Sequence, residues 1–238
     1  MGAEEQIQCD GDNWSGRWNE HPIRAVLWDM DGTLADSETL HLETLIAVLK
    51  QHGIAAGDEL YDPTVGKTGR DVHRYCCERF HRDFDYREWS RFRASHFIAA
   101  VPGLKARPGA IEVCRAASAA RIKQAVVSNS GRVILDAGLN ALGLLDYIAV
   151  SVSANDVRTA KPDPESYKQA ASLLGVAARD AVVVEDSWIG AQAGVAAGMR
   201  VLAWPNNGSR AVRFPPAARI VTTEFDLACS LGLSVLQA

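Results

Sequence analysis

The chain has no long hydrophobic run. Its apolar stretches fall well short of the ~18 residues that a membrane-spanning helix needs, so no membrane association is expected. The opening Met1-Gly2-Ala3-Glu4-Glu5 is acidic and leads into no apolar stretch, so no signal peptide is expected either. Charge excess is also missing. The 25 basic and 29 acidic side chains leave a net charge of -4. That balance gives nucleic acids and membrane surfaces no global attraction. The five cysteines, Cys9, Cys76, Cys77, Cys114 and Cys229, are odd in number and contain no C-x-x-C pair. Neither a disulfide framework nor a zinc site is expected; reduced thiols and a cytoplasmic location are. There is no internal repeat and no low-complexity tract. Nothing in the composition speaks to oligomeric state.

What is present is an ordinary charged share of 23% and a hydrophobic share of 47%, enough for a sizeable core in 238 residues. The rest of the chain is organised around Val26-Leu27-Trp28-Asp29-Met30-Asp31-Gly32-Thr33-Leu34. Residues 24–29 read as a short buried strand that ends in two carboxylates, a glycine and a threonine. In open α/β folds the ligand crevice lies at the carboxyl ends of strands. Two carboxylates there call for a positive partner, and a hard divalent cation suits oxygen ligands. Gly32 permits a sharp turn, and Thr33 offers a hydroxyl and an N–H to a phosphate.

Residues 1–20, with Trp14 and Trp18, lack any period and read as a mobile extension. Residues 37–104 are poor in strands and rich in helical stretches, among them 71–81 and 86–99. They read as a helical cap inserted between residues 21–36 and 105–238 of the core, with hinges near Ala35-Asp36 and Leu104–Arg107. After Arg107-Pro108-Gly109, helix and strand alternate, the pattern of a parallel sheet. Strands are expected at 122–127, 147–152, 181–184 and 200–204. The expected fold is therefore α/β, a Rossmann-like parallel core of five or more strands with a helical cap.

Polar groups recur at the strand ends: Asp29 and Asp31, then Ser128 with Asn129, Lys161 after the third strand, and Glu185-Asp186 after the fourth. Three or four carboxylates with one lysine fit phosphoryl transfer. An ionised Asp can attack phosphorus, a second carboxyl can serve the leaving oxygen, and lysine and hydroxyl donors can hold the phosphoryl oxygens.

These motifs resemble the haloacid dehalogenase superfamily, in the branch with a helical cap that contains β-phosphoglucomutase and sugar-phosphate phosphatases. The resemblance covers residues 23–205. Asp29-Met30-Asp31-Gly32-Thr33 is similar to its first motif, Ser128 to the second, Lys161-Pro162 to the third, and Glu185-Asp186-Ser187 to the fourth. The resemblance implies Asp29 as nucleophile and Asp31 as general acid/base. It implies Mg²⁺ held by Asp29, the Asp31 carbonyl and Asp186, with Glu185 in support. Ser128, Lys161 and Asn129 would bind the phosphoryl group. In the cap, Gly66-Lys67-Thr68-Gly69-Arg70 resembles the substrate-specificity loop, so Gly66, Lys67 and Arg70 join Thr33 and Asn129 as substrate-binding candidates. Arg91, Arg93 and His96 read as a solvated basic face. Asp31 argues against dehalogenation, and Thr33 favours a phosphatase over a phosphomutase of the β-phosphoglucomutase type. The expected substrate is a small phosphorylated metabolite, first a sugar phosphate, with phosphoglycolate as another option. A non-catalytic module of the same fold is the remaining alternative, and the intact set of acids and lysine speaks against it.

Overall fold

The computed structural model describes residues 21–206 and 213–233. The expected extension at 1–20, including Trp14 and Trp18, lies outside the described residues. The first element among the described residues is β1 (Ala25–Trp28), whose four residues are all buried. Helices α1 (Glu38–Gln51), α2 (Tyr61–Thr64), α3 (Gly69–Phe80) and α4 (Tyr86–Ala100) follow before the chain returns to the sheet. It then alternates: α5 (Ala110–Ala119), β2 (Lys123–Val127), α6 (Arg132–Ala141), β3 (Val150–Val152), α7 (Glu165–Leu174), β4 (Ala181–Glu185), α8 (Trp188–Ala196), β5 (Arg200–Ala203), β6 (Ala218–Ile220) and α9 (Glu224–Ser230).

The six strands form one sheet in the order β3-β2-β1-β4-β5-β6, with every pairing parallel. Parallel sheets are covered on both faces, which is why these strands are continuous apolar runs rather than alternating ones. One face packs Val113, Leu135, Leu139 and Leu227. The other packs Tyr167, Ala170, Ala191 and Ala193. The chain winds outward from β1 to β3, then crosses to β4 on the far side of β1. The switch point, where open α/β sheets hold ligands, therefore lies at the end of β1. Register sharpens this. Trp28 is level with Val126 of β2 and Val184 of β4, so the residues that follow all emerge at one edge.

The helices before β2 bury a core of their own, with Leu45, Val48, Leu49, Leu60, Val72, Cys76, Phe84 and Trp89. Local chemistry sets their ends. Thr68 caps α3 by accepting from the Asp71 N–H, and Asp85 caps α4 by accepting from the Glu88 N–H. The two connections to the sheet run side by side. Ala35 bridges Ala106, and the Asp36 N–H donates to the Lys105 carbonyl.

Two expectations need correction. The third strand is Val150–Val152 rather than 147–152, because Tyr147 is drawn into a turn by its N–H bond to the Leu144 carbonyl. Strand β6 and helix α9 were not expected; β6 is a three-residue edge strand with no apolar run to announce it. Among the described residues Cys76, Cys77 and Cys114 are free thiols.

Candidate active site

Asp29 is the first residue beyond β1, and its N–H donates to the Val184 carbonyl. That bond continues the ladder one residue past the strand and carries the carboxylate to the sheet edge. Lys161 Nζ donates to Asp29 Oδ1 at 2.6 Å, to Glu185 Oε1 at 2.7 Å and to the Val127 carbonyl at 2.7 Å. All three of its protons are used. Burial alone would lower the Lys161 pKa, but the Asp29 and Glu185 carboxylates outweigh it and raise the value. Glu185 is fully buried and is completed by Tyr167 Oη at 2.8 Å and Ser187 Oγ at 2.9 Å.

Asp31 has a different environment. Its Oδ1 accepts from Ser37 Oγ at 2.7 Å and from His41 Nε2 at 2.8 Å. Its Oδ2 accepts from Ser130 Oγ at 2.8 Å and Ser128 Oγ at 3.1 Å. Burial acts to raise the Asp31 pKa, but the His41 charge and these hydrogen bonds hold it well below the usual carboxylate range. Two carboxylates two residues apart therefore differ in character. Asp29 goes the other way, raised well above its ordinary value by burial and by Glu185, with Lys161 opposing. Asp186 is likewise raised by burial, Asp29 and Glu185.

Asp29, Glu185 and Asp186 bring carboxylate oxygens within 4.8 Å of one another. Thr33 Oγ1 donates to Asp186 Oδ1 at 3.1 Å and orients it. Among the described residues no hydrogen bond reaches Asp29 Oδ2 or Asp186 Oδ2. Crowded, buried carboxylates with unused oxygens, and no sulfur or imidazole among them, suit a hard divalent cation. The residues fit such an ion.

The cavity above this edge is lined on the core side by Asp29, Asp31, Ser128, Asn129, Lys161 and Asp186. From the helices after β1 come Glu38, His41, Tyr61, Gly66, Lys67 and Arg93. The residues anticipated from sequence divide accordingly. Asn129 lines the cavity, yet its amide is committed: Nδ2 donates to the Gly66 carbonyl at 2.9 Å and Oδ1 accepts from the Lys161 N–H at 3.0 Å. It thus ties the 66–70 loop to the lysine loop. Lys67 borders the cavity, with Nζ 5.7 Å from the Tyr75 ring. Arg70 is not brought there; its guanidinium stacks on Tyr86 at 4.5 Å. The Thr33 side chain is fully buried and serves Asp186 rather than the cavity. Arg91 and His96 are solvent-exposed as expected, whereas Arg93 points into the cavity wall, which corrects that part of the reading.

Several site residues were not anticipated. His41, Ser37 and Ser130 surround Asp31, Tyr167 supports Glu185, and Tyr61 donates to Glu38. Arg107 stacks on Trp204 and donates to the Gly32, Trp204 and Pro205 carbonyls, pinning the loop beneath the two aspartates. A signal did exist for two of them. His41 lies one and two turns before Leu45 and Val48, and Tyr167 precedes Ala170, Ala171 and Leu174 at helical spacing, so both share their helices' buried faces.

Two glycines are required by close approach. Gly32 has φ +84°, and a Cβ there would collide with Asp186 Oδ2. A Cβ at Gly190 would collide with Glu185 Oε1, because the glutamate lies across the start of α8. Gly190→Ala is expected to destabilise the fold by roughly 1–3 kcal/mol, the usual cost of overpacking, and to weaken metal binding by displacing Glu185. Thermal melting with and without added Mg²⁺ tests this; an unchanged midpoint and unchanged metal response would refute it.

Comparison with known proteins agrees with this geometry. The family model of haloacid dehalogenase-like hydrolases matches residues 26–204. YhcW of Bacillus subtilis is 30% identical over 193 residues, covering 81% of this chain and 88% of that protein. Hexitol phosphatase A of Escherichia coli is 30% identical over 181 residues, covering 76% and 82%. The crystal structure of CbbY from Rhodobacter sphaeroides in complex with phosphate superimposes with a TM-score of 0.79 at 25% identity, covering 89% of this chain and all (100%) of that one. The chain belongs to the haloacid dehalogenase-like hydrolase family and is a phosphatase of that type.

Proposed function

We propose that this phosphatase hydrolyses a small sugar phosphate through a phosphorylated Asp29. The observation that carries the reading is the contrast between the two aspartates of one loop. Asp29 shares its carboxylate with Lys161 at the cavity floor, and Asp31 sits in a separate cradle of four donors. In the first half-reaction an Asp29 oxygen attacks phosphorus, and the bond from phosphorus to the sugar oxygen breaks. The departing oxygen takes a proton from Asp31. In the second, Asp31 takes a proton from water, whose oxygen attacks the phosphorus of the Asp29 acyl phosphate, and the bond from phosphorus to the Asp29 oxygen breaks, releasing phosphate and free Asp29. Asp31 rests as a carboxylate 2.8 Å from His41 Nε2, and it takes up the proton it passes to the departing oxygen when the anionic substrate enters the cavity. Lys161 balances the charge that Asp29 gives up. A Mg²⁺ ion held by Asp29 and Asp186, with Glu185 behind them and the Asp31 carbonyl as a further ligand, would neutralise the negative charge that gathers on the phosphoryl oxygens.

Residues 37–104 act as a cap over a core of 21–36 and 105–238, pivoting where Ala35 and Ala106 run together. The Asn129–Gly66 bond is a contact that belongs to the closed arrangement. Sugar phosphates are favoured because relatives named as a hexitol phosphatase and, in Thermotoga maritima, a phosphorylated carbohydrates phosphatase share 30% and 29% identity with this chain. A structural neighbour, a CbbY variant, is complexed with xylulose-(1,5)bisphosphate.

The test is phosphate release from a panel of phosphorylated sugars and acids, with and without a chelator. Glucose 6-phosphate formation from β-glucose 1-phosphate is followed in parallel. Release that is lost on chelation and restored by Mg²⁺ is the expected result; chelator-resistant release, or isomerisation without release, would overturn the reading. A pH prediction accompanies it. Asp29 and Asp186 hold protons to higher pH than ordinary carboxylates when no metal is present, so a metal must displace those protons. Mg²⁺ affinity should therefore rise with pH, by about tenfold per pH unit for each proton displaced, and level off once both acids are ionised. Calorimetric Mg²⁺ titrations at a series of pH values would show it, and an affinity independent of pH would exclude it.

A further inference from the structure

We propose that Arg93 is a specificity-determining residue, which receives a second, non-reacting oxyanion of the substrate, a phosphate or a carboxylate. This deepens, and rests on, the sugar-phosphate reading above.

Arg93 lies on α4 four residues after Trp89 and four before Phe97, and both aromatics are buried, at 1% and 2% exposure. Its position is thus on the inward face of the helix, where a charged residue is costly without a partner. Its side chain lines the same cavity as Asp29, Asp31 and Lys161. Yet it is poorly satisfied. Nη2 donates to the His41 carbonyl at a long 3.3 Å, and Nε is sealed from solvent with no hydrogen-bond partner. Among the described residues no carboxylate forms an ion pair with it.

Other part-buried arginines differ. Arg107 spends its guanidinium on three carbonyls and the Trp204 ring. Arg132 pairs with Asp136 and Asp156. Arg93 alone of these three faces the cavity without an anion. The ionisable groups that act on it are the Tyr86 phenol and the Cys76 thiol, which burial raises to about 11, and neither is a carboxylate. Burial pulls its pKa down to about 10, still well above neutrality, so the cation persists. A planar fork of donors in a sheltered wall suits a phosphate or carboxylate, which it can grip by two parallel bonds. Of the acids lining the cavity, Asp29, Asp31 and Asp186 stand at the sheet edge and Glu38, on α1, accepts from the Tyr61 hydroxyl, so a second anion is drawn to the α4 wall and away from them.

A purely structural role for Arg93, tying α4 to α1 through the His41 carbonyl, predicts something different. Its loss would then slow every substrate alike. So would contact with the reacting phosphoryl group, since every ester carries one.

The experiment compares wild type, Arg93→Gln and Arg93→Lys on four substrates: fructose 1,6-bisphosphate, 6-phosphogluconate, fructose 6-phosphate and p-nitrophenyl phosphate. The two substrates with a second anion should be preferred by wild type by about tenfold or more in kcat/KM over fructose 6-phosphate. Arg93→Gln should lose roughly 10- to 100-fold on whichever of them is preferred and under about threefold on p-nitrophenyl phosphate. Arg93→Lys should fall between, because it keeps the charge and loses the fork. The bisphosphate and phosphogluconate arms say whether phosphate or carboxylate is read. Equal proportional losses on all four substrates, or a wild-type preference for fructose 6-phosphate, would overturn the proposal. Binding is measured separately by calorimetry in an Asp29→Asn background with Mg²⁺, where turnover is removed. There the doubly anionic ligands should bind more tightly than fructose 6-phosphate, and adding Arg93→Gln should erase the difference. Absence of that difference defeats the subsite by itself. If instead the binding preference holds while wild type releases no phosphate from any compound, it is the phosphatase mechanism with Asp29 that fails and the subsite stands.

Discussion

Asp29→Asn is expected to lower kcat by about 10³-fold or more while the protein stays folded, because the amide nitrogen and oxygen are poor nucleophiles toward phosphorus. The structure says why folding survives. The substituted amide keeps an oxygen for Lys161 Nζ, which sits 2.6 Å from Asp29 Oδ1. It also removes one negative charge from a buried group whose pKa is pushed up by burial and by Glu185. A folded-state pKa raised in an acid means that stability is lost as pH rises through it. The variant escapes that loss, so its metal-free melting temperature at neutral pH should equal or exceed that of wild type. Phosphate release and circular dichroism melts on the same preparation decide the matter. A folded variant that keeps roughly a tenth of wild-type turnover would remove Asp29 as nucleophile.

Lys161→Ala should fail on both counts. Lys161 is 6% exposed, and its ammonium is held by Asp29, Glu185 and the Val127 carbonyl. Removing it leaves two buried carboxylates facing each other, with Asp186 beside them. Breaking a buried ion pair by deleting one partner costs about 3–5 kcal/mol. Turnover should fall by a further order of about 10²–10³ on every substrate, including p-nitrophenyl phosphate, since the lost charge faces the reacting group. The pH dependence has a definite sign. The raised pKa of Lys161 means that its contribution is complete below the ordinary lysine range and is lost only as pH climbs through the folded value. The stability deficit of the variant should therefore persist through neutral pH. It should shrink on acidification, when Asp29 and Asp186 take up protons at their raised pKa values and the repulsion ends. Thermal melts of wild type and variant from acidic to alkaline pH test it. A deficit that grows as pH falls would show that Lys161 is not what balances these acids.

The order of helices and strands, and the chemistry at the strand ends, were readable because they are local properties. An apolar run such as Ala25–Trp28 must be buried, and the polar residues after it must emerge where the strand stops. In a parallel sheet all such stops share one edge, so Asp29, Ser128, Lys161 and Glu185 fall into one group on sequence order alone. What tertiary structure alone decided is the direction of side chains outside the strands. Thr33 turned to Asp186, and Arg70 turned to Tyr86. His41 met Asp31 across ten residues, and Arg107 reached the Gly32 carbonyl across 75. Arg93 entered the cavity wall although its neighbours Arg91 and His96 face solvent. Each of these depends on how the helices between β1 and β2 dock over the sheet edge. Docking is set by the packing of several faces at once, whereas helical spacing specifies only which residues share a face. The sequence by itself therefore determined which polar groups gather at the strand ends, and the docked helices decided which residues surround and orient them.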